Sequence, residues 1–302
     1  MADPSVLPAL LADEYRANAF SSNTRRAYQA DLNDFTGWLR ERGVVQPGAS
    51  DVAGYLASLP RRGLKVSTVR RRAATLGKIF GFSVRRDPAI GPVLAGIERT
   101  HGVREDGKDA LLLEDLIAVL PPGEGLLAVR DRALLLLGFA GGFRRGELAA
   151  LEVDDVQFRE EGVAVLVRRG KTDPEGAGRT VGIPFGAHEA TCPVRALRCW
   201  LDAAVIRTGA VFRRVYGRHV GEPLEPQAVW CVIKRLCGKA GLDPKRFGAH
   251  SLRAGMVTQA IRGGASDHAI MAQTGHRSSD MVRRYRRETD LFQDNAGGKL
   301  GL

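Results

Sequence analysis

Apolar positions in the first hundred residues recur at helical spacing. Ser21-Ser22-Asn23 supplies capping side chains, and Tyr28, Leu32, Phe35 and Leu39 follow on one face until Gly43. The stretch 51–59 predicts a second helix closed by Pro60. Ser67 caps a third, with Val69, Ala73, Leu76 and Phe80 as its apolar stripe. Residues 100–109 are polar, contain Gly and hold almost no large apolar side chain, which places a domain boundary there. The expected organisation is a helical domain over 1–100, a linker over 101–109 and a second domain over 110–302.

The pattern then changes. Helices are predicted over 113–120 and 126–140, followed by alternating runs at 163–167 and 180–183 with a Gly- and Pro-bearing stretch between them. That combination predicts a β-hairpin or small sheet. Helical spacing returns over 193–206, 226–240, 250–262, 266–273 and 279–289. The fold class is therefore mainly α, with an all-helical first domain and an α+β second domain holding one small antiparallel sheet. No internal repeat or low-complexity tract interrupts it.

Charge narrows the partner. The chain carries 45 basic and 34 acidic side chains, a net charge of +11. The excess is spread along the chain, with 17 basic and 12 acidic residues in 1–109 and 28 and 22 in 110–302. Both domains are thus candidates to face one polyanion, with nucleic acid the first choice and an acidic membrane surface the second. The longest apolar run, 133–143, is too short to span a bilayer. Acids at Asp3, Asp13 and Glu14 and the lack of a basic n-region argue against a signal peptide. Cys192, Cys199, Cys231 and Cys237 have no C-x-x-C spacing and read as reduced, mostly buried thiols, so the expected compartment is the cytoplasm.

Five places along the second domain hold residues that can carry chemistry: Arg144 in G-F-R-R-G-E-L, Lys171 in R-G-K-T-D, His250 and Arg253 in A-H-S-L-R-A-G, His276 in T-G-H-R, and Tyr285 in R-R-Y-R-R. Singly, each has a plain structural reading: a surface or capping Arg, a solvated hairpin Lys, a polar pair on one helix face, an amphipathic Tyr. The histidines lack H-E-x-x-H or finger spacing for zinc, and there is no G-x-G-x-x-G after a strand and no G-x-x-x-x-G-K-[ST] loop. No metal or cofactor is expected. Together, two guanidiniums and two imidazoles can surround one phosphate and stabilise charge on its non-bridging oxygens without a metal. A tyrosine hydroxyl can attack phosphorus, and a lysine ammonium can protonate the departing sugar oxygen.

The order Arg…Lys…His-x-x-Arg…His…Tyr, with nine residues from His276 to Tyr285, resembles the tyrosine site-specific recombinases of the phage integrase family. The stretches G-K-T-D-P-E-G-A-G-R-T-V-G-I-P and Y-R-R-E-T-D-L-F-Q-D-N-A resemble its Cre-like branch and related chromosomal integrases. The first half, from S-S-N-T-R-R-A-Y-Q-A-D-L-N-D-F onward, resembles the helical, SAM-like core-binding domain. The resemblance implies that Arg144 and Arg253 hold the scissile phosphate, with Glu147 orienting them. It makes Lys171 the general acid, His250 a proton exchanger for Tyr285, His276 a further hydrogen-bond donor and Tyr285 the nucleophile of a 3′-phosphotyrosyl link. At His276 the chain departs from Cre, which has Trp there. Arg145 is left without a role.

The family architecture further implies a clamp on double-stranded DNA bearing inverted repeats, a tetramer on paired sites, and strand exchange through a Holliday junction. Integration, excision and dimer resolution are all open outcomes. The 226–240 helix would enter the major groove with Gln227 as a candidate adenine reader. Arg70, Arg71 and Arg72 would either line the groove or form a solvated helix face. Leu291, Phe292, Leu300 and Leu302 would form an apolar tail that folds back or docks on a neighbouring protomer. Two other readings compete: a DNA-binding accessory protein without chemistry, and a relaxing topoisomerase of related chemistry.

Overall fold

The computed structural model describes residues 22–81, 83–103, 107–168, 178–289 and 300. The chain forms two compact units, 1–106 and 107–302.

The first unit consists of α1 (Ser22–Arg40), α2 (Ala49–Arg61), α3 (Val66–Phe80) and α4 (Ile90–His101). Phe35, Tyr55, Leu56, Leu59, Val69, Leu76 and Ile90 are fully buried between them. The Phe35 ring packs against Tyr55 and Phe80 at centroid distances of 5.0 and 5.7 Å. α2 runs through Pro60, because the Arg62 amide still closes on the Ser58 and Leu59 carbonyls. α3 begins one residue ahead of Ser67, with Lys65 at the cap, so Ser67 lies in the first turn and does not cap it.

The arginine triplet takes up neither of its expected settings in full, since all three form inter-helix ion pairs. Arg70 bonds Glu98 on α4 at 2.7 Å. Arg71 pairs with the buried Asp31 on α1, which also accepts from Thr75 at 3.0 Å. Arg72, with only 13% of its side chain exposed, pairs with Asp34 and bonds the Tyr55 hydroxyl at 2.6 Å. A solvated face is therefore wrong for Arg72. Hydrogen bonds from Arg62 and Tyr55, with the charge of Arg72, hold the Asp34 carboxyl down to about 2. Buried charges tolerate removal from water only when paired in this way.

The second unit follows the order α5 (Leu113–Val119), α6 (Leu126–Ala140), α7 (Arg145–Ala149), β1 (Val156–Phe158), β2 (Gly162–Val167), β3 (Arg179–Pro184), α8 (Pro193–Ala203), β4 (Arg213–Tyr216), β5 (His219–Pro223), α9 (Pro226–Lys239), α10 (Ala249–Arg262), α11 (Asp267–Thr274) and α12 (Ser279–Thr289). The long apolar run is α6, a central helix buried from Val129 to Gly138 and packed on α8 and α10. β1, β2 and β3 form an antiparallel sheet in which Val163 faces Ile183 and Val165 faces Val181.

A second sheet, the β4–β5 hairpin, corrects the expectation of one. Tyr216 pairs with His219 across Gly217 and Arg218, with Gly217 at φ 61°. The charges in R-R-V-Y-G-R-H-V conceal its alternation. Cys192 and Cys237 are buried, but Cys199 and Cys231 are exposed, so only half of the expected burial of thiols holds. Among the described residues no helix is long and apolar enough to cross a membrane.

α10 packs so closely on the segment before α5 that a Cβ on Gly255 would sit 1.8 Å from the Leu111 carbonyl oxygen. Leu111 also donates its amide to the Ser251 carbonyl at 2.9 Å. A Gly255→Ala substitution must push α10 away and take its functional face along. The expected result is a loss of about 1–3 kcal/mol in thermal unfolding and a fall of about 100-fold in activity.

Candidate active site

The chain leaves α6 through Gly141 and Gly142. Gly142 sits at φ 58°, where other residues are strained, and a Cβ there would crowd Thr274 at 3.1 Å. The turn buries Phe143 and delivers Arg144 to the cap position of α7. Glu147 stands three residues on and is only 6% exposed. Its Oε2 accepts the Arg144 backbone N–H at 2.9 Å, and its Oε1 accepts Arg144 Nη1 at 2.7 Å. Arg179, the first residue of β3, approaches the same carboxylate from the other side. It donates from Nη1 to Oε1 at 3.2 Å and from Nη2 to Oε2 at 2.9 Å. Burial disfavours the Glu147 charge, but the hydrogen bonds from Arg179 and from the Arg144 backbone overcome it and hold the carboxyl below its usual range.

α10 starts at Gly248, whose amide bonds Ser251 Oγ at 3.0 Å. That start sets His250 and Arg253 one turn apart on one face, His250 exposed and Arg253 only 4% exposed. Arg253 Nη1 donates to the Gly142 carbonyl at 2.7 Å, tying α10 to the turn that carries Arg144. Its Nη2 is buried and has no partner among the described residues. Burial, followed by the charge of Arg144, pushes Arg253 down to about 10, with Glu147 and Tyr285 acting in the opposite direction.

His276 follows α11, which ends on Gly275 in the left-handed conformation at φ 68°. The buried Thr274 hydroxyl donates to the Ile270 carbonyl at 2.6 Å. Its one proton is thereby used, so at its 2.9 Å contact with His276 Nδ1 it must accept. The hydrogen-bond network thus assigns the proton of neutral His276 to Nδ1 and leaves Nε2 with a lone pair. Burial and then the charges of Arg253, Arg144 and Arg179 push His276 down to about 4. The expected donor role of His276 therefore needs a second proton, which an anion bound among these cations would favour.

Two results follow. An NMR titration is expected to give His276 a pKa near 4 in the free protein, climbing toward 6.5 or above when a phosphate is bound. The folded value lies below the unfolded one, so the folded chain binds fewer protons between them. Stability is then full above about pH 6.5 and falls as the pH drops through about 4, by no more than about 3 kcal/mol. His276→Gln removes that part of the acid sensitivity.

Tyr285 lies on α12, half-buried against the cluster of Val257, Ile261, Ile270 and Val282 and within the field of Arg253. α12 is held to α11 by Arg286, which donates from Nη2 to Asp267 Oδ1 at 2.7 Å. Arg144, Glu147, Arg253, His276 and Tyr285 thus converge from four separate elements. Lys171 lies outside the described residues. Gln227, exposed in the first turn of α9, accepts from Arg145 Nη1 at 3.2 Å, which gives the otherwise unassigned Arg145 a partner. Arg70, Arg71 and Arg72 belong to the first unit.

Arg179 and Thr274 are site residues that the motif spacing does not reveal. The signal for Arg179 was present: residues 179, 181 and 183 share the inward face of β3, and a charged residue on that face needs a partner.

The phage integrase family model matches residues 113–291, and the model of the phage integrase N-terminal SAM-like domain matches residues 13–87. The chain belongs to the phage integrase family: it is a tyrosine recombinase, an enzyme that cleaves and joins DNA strands. It is 37% identical over 294 residues to the integrase/recombinase xerD homolog of Selenomonas ruminantium, covering 93% of this chain and 86% of the relative. It is 25% identical over 277 residues to tyrosine recombinase XerD of Bifidobacterium longum (strain NCC 2705), covering 87% and 85%. In fold it is similar to XerH site-specific recombinase bound to palindromic difH substrate in a post-cleavage complex, with TM-score 0.69, 18% identity and coverage of 90% and 78%. It is also similar to the Tn1549 transposon integrase in complex with transposon right end DNA, with TM-score 0.66, 16% identity and coverage of 97% and 99%. These relatives do not carry a Cre name, so the family follows from them and the Cre-like branch does not.

Proposed function

We propose that this enzyme recombines double-stranded DNA at a specific inverted-repeat site, with Tyr285 as the nucleophile. Arg144 and Arg253 donate to the non-bridging oxygens of the scissile phosphate, and Glu147 fixes Arg144. The Tyr285 oxygen attacks phosphorus, its proton passes to His250, and the bond from phosphorus to the 5′ oxygen breaks. Lys171 protonates that departing oxygen. The product is a 3′-phosphotyrosyl ester, which keeps the energy of the broken diester, so attack by the 5′ hydroxyl of a partner strand rejoins DNA without ATP. Two rounds, through a Holliday junction in a tetramer on paired sites, complete the exchange. The cytoplasm, where the chromosome lies, is the fitting compartment.

The observation that carries this reading is the buried Nη2 of Arg253, without a hydrogen-bond partner among the described residues, on a guanidinium within the electrostatic reach of Arg144, His276 and Tyr285. An anion is the group that such a cluster lacks. Gln227 is the proposed adenine reader: its carbonyl accepts from Arg145 Nη1 at 3.2 Å and keeps a second lone pair for a base donor.

The test uses DNA selected for binding from a random pool, cloned as two copies in one supercoiled plasmid. The expected result is recombination between the copies in EDTA, with binding falling about 10³-fold or more between 50 and 200 mM salt. Relaxation of plasmids lacking the site, without recombination, would instead identify a topoisomerase. Binding without cleavage of any selected site would identify an accessory protein.

A further inference from the structure

We infer that Arg179 is a positioning residue for strand cleavage, acting through Glu147 on Arg144. The inference rests on the reading of Arg144 as a phosphate-holding group.

Three observations carry it. First, among the described residues Arg179 supplies two of the four hydrogen bonds that fix Glu147, and Arg144 supplies the other two. The carboxylate is thus a hinge pin between two guanidiniums 35 residues apart in sequence, and the Arg144 side chain owes its fixed direction to an acid that Arg179 fixes in turn. Second, the Arg179 guanidinium lies directly against Gly275. A Cβ there would meet its Cδ, Nε and Nη1 at 3.1 Å each, so the left-handed turn that presents His276 is shaped around this side chain. Third, Arg179 Nε is buried and has no partner among the described residues. Its fork is therefore not spent wholly on the described partners.

Arg179 opens β3, eight positions after Lys171 in sequence.

The charged groups facing Glu147 are Arg144 from the turn before α7, Arg179 from β3, Arg253 from α10 and His276 from the turn after α11. Without Arg179 the strongest counterweight to burial is lost, and the Glu147 carboxyl takes up a proton as the pH falls. Removal of Arg179 therefore moves the acid limb of cleavage to higher pH than in the wild type.

The experiment measures single-turnover covalent trapping on a nicked substrate from pH 6 to 9, with site affinity and thermal unfolding recorded for each protein. Arg179→Ala is expected to slow trapping about 100-fold at pH 7, with partial recovery by pH 9 and site affinity held within about threefold. Arg179→Lys, which keeps the charge but not the fork, loses about tenfold, and serves alone if the alanine variant does not fold. In a Glu147→Gln background Arg179→Ala costs less than about threefold and does not move the acid limb, because both act on Arg144 by one route. Losses that multiply across the two substitutions, or Arg179 variants that trap as fast as wild type at every pH, overturn the inference. Failure of the wild type itself to trap DNA strikes the recombinase mechanism and not this residue.

Discussion

Tyr285→Phe abolishes covalent capture of cut DNA, with a fall of more than about 10⁴-fold in the rate of strand cleavage, while binding to the site stays within about twofold. The size of the effect follows from chemistry: without a phenolic oxygen no phosphotyrosyl ester can form, and the neighbouring groups can only hold the phosphate. The ring still packs on Val257, Ile261, Ile270 and Val282, so unfolding shifts by no more than about 1 kcal/mol. Trapping on a nicked substrate and gel-shift titration read the two quantities separately. Equal recombination by the Phe variant would remove Tyr285 from the mechanism.

Arg253→Lys is the second large effect, at about 10²–10³-fold in cleavage. Arg253 divides its fork: Nη1 is committed to the Gly142 carbonyl at 2.7 Å, and the buried Nη2 has no partner among the described residues. A lysine ammonium is a compact point charge on a flexible stem and cannot serve both directions with fixed geometry. It either keeps the tether to the Arg144 turn or reaches a phosphate oxygen. Charge is conserved, so the salt dependence of binding changes little and the loss appears in the chemical step. A lysine variant that cleaves within about threefold of wild type would show that charge alone suffices at this position.

The sequence is informative wherever one period or one motif decides the outcome. The α6 run, the helices over 226–239 and 279–289, and the pairing of His250 with Arg253 follow from local spacing, and each appears close to its expected bounds. What escapes is set by partners distant in sequence. Nothing near Arg72 reveals that Asp34 and Tyr55 wait for it across two helices. Nothing near Arg179 points to Glu147, although its inward position on β3 is a warning sign. The β4–β5 hairpin hides behind its arginines, and the protonation of His276 depends on how the Thr274 hydroxyl is spent. Motif order therefore identifies the groups proposed to meet the phosphate, while the groups that hold them in place become visible only in three dimensions.

The most direct measurement is mass spectrometry of the covalent complex formed on a nicked site, after digestion of both protein and DNA. The account predicts one modified peptide, carrying a nucleotide through its 3′ phosphate on the Tyr285 oxygen. A nucleotide on any other side chain, a link through a 5′ phosphate, or intact peptides from a sample in which the strand has been cut would contradict it.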